Sequence, residues 1–446
     1  MVPVLLTLTM MALVTVNPSS SERKPSADPC RTPADCSYNG VCTSAAVDPL
    51  RGASGVAPSC KCKPQWKGAM CDVFNFAAVV PSRGVGLRSL NATTGGQVSS
   101  WGGSVLVGDD GVFHMYAAEM AYGVGIKSWR SNSRVVHATA DPRGGAPFAF
   151  KRQGIAQPVF AHEPTVARAP TGEYVMMFTT NYGEVPGGQC GPPCHCGHNG
   201  TSCLSCPNAQ QCPAKPAAPL STRMSYATKP EGPWSTPALV PSRGGGDTNL
   251  ACIVLKNSSL VCLGRPSLGI LTATHWKNVS SYSWHHVAYG HGEDPMLWSE
   301  SASEGTAEVL HAVTHGGGWG DPFGYHYWST DGGWSWTGTG KKAYGNIVEV
   351  EGQTTKVVSR RERPHVVQDA QGTLVGLTTA VTEAWPCTTS CGHVPDNPPC
   401  KDFNPFGGTN PNPKCGPGSN GTILWCPIDY CYTLFQPFVQ EQTGAP

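Results

Sequence analysis

The stretch YWSTDGGWSW, Tyr327 to Trp336, sets four aromatic residues around a tight Asp-Gly-Gly turn. Two earlier stretches share its build, HATADPRGGAPFAF (His137 to Phe150) and SYATKPEGPWS (Ser225 to Ser235). Each runs from a strand-like segment through a Pro, Gly or Asp turn and out onto an aromatic. A turn used three times in this way marks one supersecondary unit repeated along the chain.

Outward from these turns lie five hairpin-like units. They are GGSVLVGDDGVFHMYAAEM (Gly102 to Met120), PTVARAPTGEYVMMFTTN (Pro164 to Asn181), LACIVLKNSSLVCLG (Leu250 to Gly264), PMLWSESASEGTAEVLHAVTH (Pro295 to His315) and PHVVQDAQGTLVGLTTAV (Pro364 to Val381). Gly and Asp fall where a β-hairpin turn needs them. The aromatic turns follow the first, second and fourth hairpins. Five units, each with two inner strands and a following outer pair, predict an all-β fold, a five-bladed β-propeller over residues 75–385. A β-sandwich with long loops is the competing architecture, and it leaves the ordered recurrence of hairpin and turn unexplained.

Ser329-x-Asp331-x-Gly333-x-x-Trp336 resembles the Asp-box turn of sialidase-like propellers, which implies a structural role for these residues. The hairpins with GPW-type turns between them, from Ala77 to Val381, resemble the five-bladed glycoside hydrolases that cleave arabinosides, xylosides and fructosides. At the front, Cys30 to Cys71, with the close Cys60-x-Cys62 pair and the Trp66-Lys67-Gly68-x-x-Cys71 ending, resembles an epidermal-growth-factor-like domain, taken as residues 28–72. That resemblance implies the pairing Cys30–Cys42, Cys36–Cys60 and Cys62–Cys71. So small a module lacks an adequate apolar core and depends on its disulfides. Asp28 offers a single carboxylate before the first cysteine, too few oxygen ligands for calcium.

The chain has 446 residues, with 31 Lys+Arg against 30 Asp+Glu and no long basic run, so no nucleic-acid surface is expected. Fifty-three Gly and 40 Pro favour turns over long helices. The apolar start MVPVLLTLTMMALVTV reads as a secretory signal over residues 1–20, with an uncleaved anchor as the competing reading. No later segment is long and apolar enough to span a bilayer. The 20 cysteines fall into even local sets, which predicts local disulfides in a secreted or cell-surface protein. Cys252 and Cys262 flank one hairpin and are expected to pair across it. The cluster at 190–212 interrupts the second unit; its CxxCxC opening fits zinc, but disulfides suit a secreted chain better. Residues 386–446 read as a Cys-rich C-terminal extension that closes or braces the propeller. Sequons at Asn91, Asn199, Asn257, Asn278 and Asn420 predict surface glycosylation.

In a propeller the residues leading into each inner strand ring the mouth of the central channel. Here they are Trp101-Gly102-Gly103, His162-Glu163-Pro164, Asp247-Thr248-Asn249, Glu293-Asp294-Pro295 and Arg361-Glu362-Arg363-Pro364. Carboxylates with His, Arg and an aromatic platform are what a sugar site needs. Glycoside hydrolysis asks for two carboxyl groups, about 5 Å apart for retention and about 6.5 to 9.5 Å for inversion. The resembling hydrolases carry an Asp at the start of the first blade, and this chain has Gly102-Gly103 there. With the roles moved, Glu163 or Asp247 is the base, Glu293 the acid, and Asp294 or Glu362 the residue that tunes the pair. Trp101, His162, Arg361 and Arg363 are expected to bind substrate. His162, His311 and His315 are expected to be packed or hydrogen-bonded, and no metal or cofactor is expected. The sequence thus points to a secreted exo-acting glycosidase with a glycan or glycoprotein ligand. The alternative is a non-catalytic extracellular protein that binds carbohydrate or protein.

Overall fold

The structure is a computed structural model that describes residues 21–22, 30–43, 58–79, 84–86, 99–121, 126, 129, 133–143, 148–180, 220–241, 243, 248–265, 269–287, 289–301, 308–316, 321–352, 355–383 and 431–441. Five sheets follow one another along the chain, antiparallel except for Ser21–Glu22, which runs parallel to Thr337–Tyr344 at the edge of the fourth. Blade 1 is Ser100–Val107, Phe113–Met120, Ser133–Ala140 and Lys151–Gln157. Blade 2 is His162–Arg168, Tyr174–Thr180, Ser221–Ala227 and Ala238–Leu239. Blade 3 is Ala251–Val254, Leu260–Leu263, Ile270–Ala273 and Ser283–His285. Blade 4 is Glu293–Ser301, Glu308–His315, Gly324–Ser329 and Thr337–Tyr344.

Blade 5 is assembled from both ends of the chain. Lys356–Gln368 and Leu374–Glu383 form its hairpin, Tyr432–Pro437 is the third strand, and Val85–Gly86 pairs with Tyr432 and Thr433 at the edge. The first strands of the blades touch in ring order, 1 to 2 to 3 to 4 to 5 and back to 1. This is the five-bladed propeller that the hairpin repeat predicts.

Each interface between blades has its own apolar core. Met115 and Val136 of blade 1 meet Val367 and Phe435 of blade 5. Tyr116 and Val135 meet Met176 and Phe178 between blades 1 and 2. Val175 and Met177 meet Leu260 and Leu271 between blades 2 and 3, and Leu263 and Ile270 meet Leu297 and Leu310 between blades 3 and 4. A blade packed on both faces needs apolar residues on both sides of its strands. Phe113–Met120 and Tyr174–Thr180 are accordingly buried along their whole length. Burying one such Met or Phe stabilises the fold by about 1.5–3 kcal/mol. Hairpins close on residues suited to positive φ, as at Gly172, whose φ is 98°.

The N-terminal segment carries the disulfides Cys30–Cys42, Cys36–Cys60 and Cys62–Cys71, the pairing that the resemblance implies. It is docked against blades 4 and 5 through a shared core. Trp66 and Phe74 pack with Trp298, Val313, Val366, Leu377 and Phe438. Cys252 and Cys262 are register partners joined by a disulfide, with Cα atoms 4.0 Å apart. Asn257 and Asn278 lie in exposed turns of blade 3. The signal segment, the cysteine cluster at 190–212, most of residues 386–446, and Asn91, Asn199 and Asn420 lie outside the described residues. Among the described residues no helix is long and apolar enough to cross a membrane.

Candidate active site

The five first strands share one irregularity at their start. In blades 1, 2, 4 and 5 the register with the second strand shifts between Trp101 and Ser104, His162 and Thr165, Glu293 and Met296, and Glu362 and His365. The equivalent residue of every blade has a left-handed backbone: Gly102 at φ 68°, Glu163 at 54°, Asn249 at 48°, Asp294 at 51° and Arg363 at 53°. A bulge re-aims a side chain. For a residue other than glycine, this conformation costs on the order of 1–2 kcal/mol. Pro164, Pro295 and Pro364 follow three of these residues, and proline gives up no ladder hydrogen bond at a bulge. The bulges bring Glu163, Asn249, Asp294 and Arg363 together.

Asp294 is the hub. Its Oδ1 accepts hydrogen bonds from Asn249 Nδ2 at 2.5 Å and from Arg363 Nη1 at 3.2 Å. The same Nη1 lies 3.8 Å from Glu163 Oε2. Arg363 thus bridges the two carboxylates, and Glu163 Oε2 and Asp294 Oδ1 stand no more than about 7 Å apart. Gly102 makes room for this arrangement. A Cβ added there would lie 2.9 Å from the Cβ of Arg363, so the arginine stem fills the space next to the first blade.

Glu293 is the neighbour of Asp294 and faces the cavity. Arg265 Nη1 lies 3.3 Å from its Oε2, and His315 Nδ1 lies 3.7 Å from its Oε1. Burial, then the charge of Asp294, push the Glu293 carboxyl up to about 7, against the opposing pull of Arg265 and His315. Asp294 moves the other way. Burial alone would raise it, but Arg363, His315 and Arg265 outweigh burial and hold its carboxyl below the ordinary range. His315 donates from Nε2 to the Asp321 carbonyl at 2.8 Å, which turns Nδ1 toward both carboxylates.

The rest of the wall is aromatic and basic. Trp101, Ile126, Trp129, His162, Arg265, Arg360 and Glu362 line it. His162 stacks on Trp129 with ring centres 4.7 Å apart, and its Nδ1 lies 2.7 Å from Ser133 Oγ. Arg360 binds Glu362 at 3.0 Å and spreads over the Trp101 ring at 5.3 Å. Among the described residues outside the disulfides, Asp294, His315 and Glu362 have their ligand atoms within 4.8 Å of one another and are the set placed to hold a cation.

Of the residues singled out from sequence, Trp101, His162, Glu163, Glu293, Asp294 and Glu362 line this cavity, and Arg363 lies behind it on Asp294. Asp247 lies outside the described residues. Arg361 does not join them. It points to the opposite face of its strand, fully buried, where it donates to Gly345 O at 2.8 Å and Gln436 Oε1 at 2.7 Å. Sequence alone gives no notice of Trp129, Arg265 and Arg360. Trp129 and Arg265 lie outside the inner-strand starts, whereas Arg360 is one step from an expected residue, so strand alternation was the signal available for it.

No protein-family model matches the chain, and no curated protein matches it. Solved structures are similar in fold. One is a family 117 glycoside hydrolase from the marine bacterium Zobellia galactanivorans, 12% identical, with a TM-score of 0.44 over 86% of this chain and 94% of that one. Another is an α-L-arabinofuranosidase from Podospora anserina in complex with cellotriose, 10% identical, with a TM-score of 0.44 over 80% and 98%. A third is a GH43 β-xylosidase/α-arabinofuranosidase from a compost microbial metagenome in complex with xylotriose, 10% identical, with a TM-score of 0.42 over 67% and 89%. The likeness concerns the course of the chain, and no chemistry follows from it.

Proposed function

We propose that the protein is an extracellular glycosidase whose active site is the cavity at the mouth of the propeller. The observation that carries this reading is Glu293, a carboxyl pushed up to about 7 beside Asp294, whose proton is held less tightly than usual. Two carboxyl groups driven apart in this way supply an acid and a fixed charge within one site. Glu293 donates its proton to the glycosidic oxygen as the bond to the anomeric carbon breaks. Glu163, on another blade, is the second carboxylate: it takes a proton from the attacking water or attacks the anomeric carbon itself. Burial, and next the charge of Asp294, keep Glu293 protonated, and Arg363 holds Asp294 and Glu163 in place. Trp101 and Trp129 give the wall apolar surface against which a sugar would lie. The four disulfides among the described residues suit an oxidising compartment, which supports secretion.

One observation favours a second reading, a binding protein without turnover. The first blade has Gly102 in place of a carboxylate. A screen of aryl glycosides and oligosaccharides with wild type and Glu293→Gln separates the two. Turnover lost in the variant with sugar binding kept supports the enzyme, and binding without turnover in either protein supports the rival.

A further inference from the structure

A second cavity lies away from the mouth, where the disulfide-bonded N-terminal segment meets blade 4. It holds about 290 Å³, near the lower end of small-molecule sites. Its walls are of two kinds. Tyr38, Val41 and Val309 give apolar surface, and Val41 is 60% exposed although it is a β-branched hydrophobe. The charged groups of the lining cancel in number, Lys61 and Lys63 against Glu300 and Glu441, and Lys63 is already ion-paired with Glu300. A net-neutral rim rich in donors and acceptors gives a charged ligand no advantage over a neutral hydroxylated one.

The floor adds an independent sign. His311 is fully buried there; its Nδ1 lies 3.0 Å from His326 Nε2, and its Nε2 has no hydrogen-bond partner. Burial, and next the Lys63 charge, lower His311 to about 3, so its ring is neutral at any physiological pH. An orphaned buried nitrogen is costly, by about 1–3 kcal/mol. Nε2 has no accessible surface as the ring stands, so a ligand hydroxyl partners it only when the ring turns toward the groove.

We infer that this groove is a second carbohydrate site, taking one or two units of a neutral glycan between the N-terminal segment and blade 4. The choice of a sugar over other neutral polyols rests on the function proposed for the mouth. The site fixes a glycan to the enzyme's flank while a chain end enters the mouth, and it gives the N-terminal segment a part in substrate capture.

The test is calorimetric titration of the intact protein, in the Glu293→Gln background, with neutral cello-, xylo-, arabino- and chito-oligosaccharides of increasing length. Val41→Arg blocks the groove and Lys61→Ala removes a rim donor; both residues are exposed, so folding is kept. Each change is expected to weaken binding of the longer oligosaccharides by about tenfold. In otherwise wild-type protein, each should leave turnover of a short aryl glycoside unchanged. Unaltered affinity in both variants, or no binding of any oligosaccharide, overturns the proposal. The two sites fail separately: variant-sensitive binding without turnover counts against the mouth alone, and turnover with variant-insensitive binding counts against the groove alone.

Discussion

Glu293 carries two predictions, one about rate and one about stability. Its carboxyl is raised from the ordinary 4.5 to about 7, by burial first and then by Asp294. Below about pH 4.5 both folded and unfolded chains hold this proton. Between 4.5 and 7 the unfolded chain releases it first, so this group's contribution to stability falls as pH rises through that window. Glu293→Gln removes the titration. The variant is expected to be more stable than wild type at pH 8, on the order of 2 kcal/mol, and no more stable at pH 4. Urea denaturation at the two pH values checks this, and an equal gain at both contradicts it. Gly102 gives a prediction of opposite sign. Its φ of 68° and the 2.9 Å approach to Arg363 leave no place for a side chain, so Gly102→Ala is expected to destabilise by about 2 kcal/mol. An unchanged urea midpoint would refute that. The carboxylates at the inner-strand starts were legible because they recur at one position of a repeat. The packing of Arg363 against Gly102 was not, because it joins residues from opposite ends of the chain.

The Asp-box turn is a self-contained device at the level of a single element. Ser329 Oγ donates to Asp331 Oδ1 at 2.7 Å and accepts from Gly333 N at 2.9 Å. Asp331 accepts from Ser335 N at 2.9 Å, and Trp336 Nε1 closes the turn on Gly333 O at 2.8 Å. Trp336 is buried between blades 3 and 4. Asp331→Ala removes several of these bonds and is expected to cost about 1–2 kcal/mol. Turnover per folded molecule should not change, since the turn lies outside the mouth. A thermal melt with a parallel activity assay measures both, and a loss of turnover without a loss of stability would contradict the assignment. Hairpins and turns of this kind are readable because their period and turn residues are local. The bulges are less so. Glu-Pro, Asp-Pro and Arg-Pro mark three of them, but the left-handed backbone at Asn249 has no proline beside it.

At the scale of the whole molecule, the ring is closed by pairing the two ends of the chain in blade 5. Tyr432–Pro437 pairs along Leu374–Glu383, and Val85–Gly86 pairs with Tyr432 and Thr433. Thr433 also donates across to blade 1, from Oγ1 to Gly102 O at 2.5 Å and from N to Ser100 Oγ at 2.9 Å. A chain ending at residue 430 loses this third strand and is expected to lose cooperative unfolding, which circular dichroism would show; an unchanged transition would contradict the closure. The sequence offers residues 386–446 as an extension that closes or braces the propeller, but it does not mark Tyr432–Pro437 as a strand of blade 5, because that segment lies far from its hairpin and carries no repeat signal. The same closure holds the mouth together, since Arg363 of blade 5 bridges Asp294 of blade 4 and Glu163 of blade 2. The central claim is that this mouth hydrolyses glycosides with Glu293 as the acid. Its most direct measurement is kcat/KM for aryl glycosides between pH 4 and 9, for wild type and Glu293→Gln. Wild-type activity is expected to fall as pH rises through about 7, and the variant to be at least about a hundredfold slower with that fall abolished. Equal activity in the two proteins, with the same dependence on pH, would contradict it.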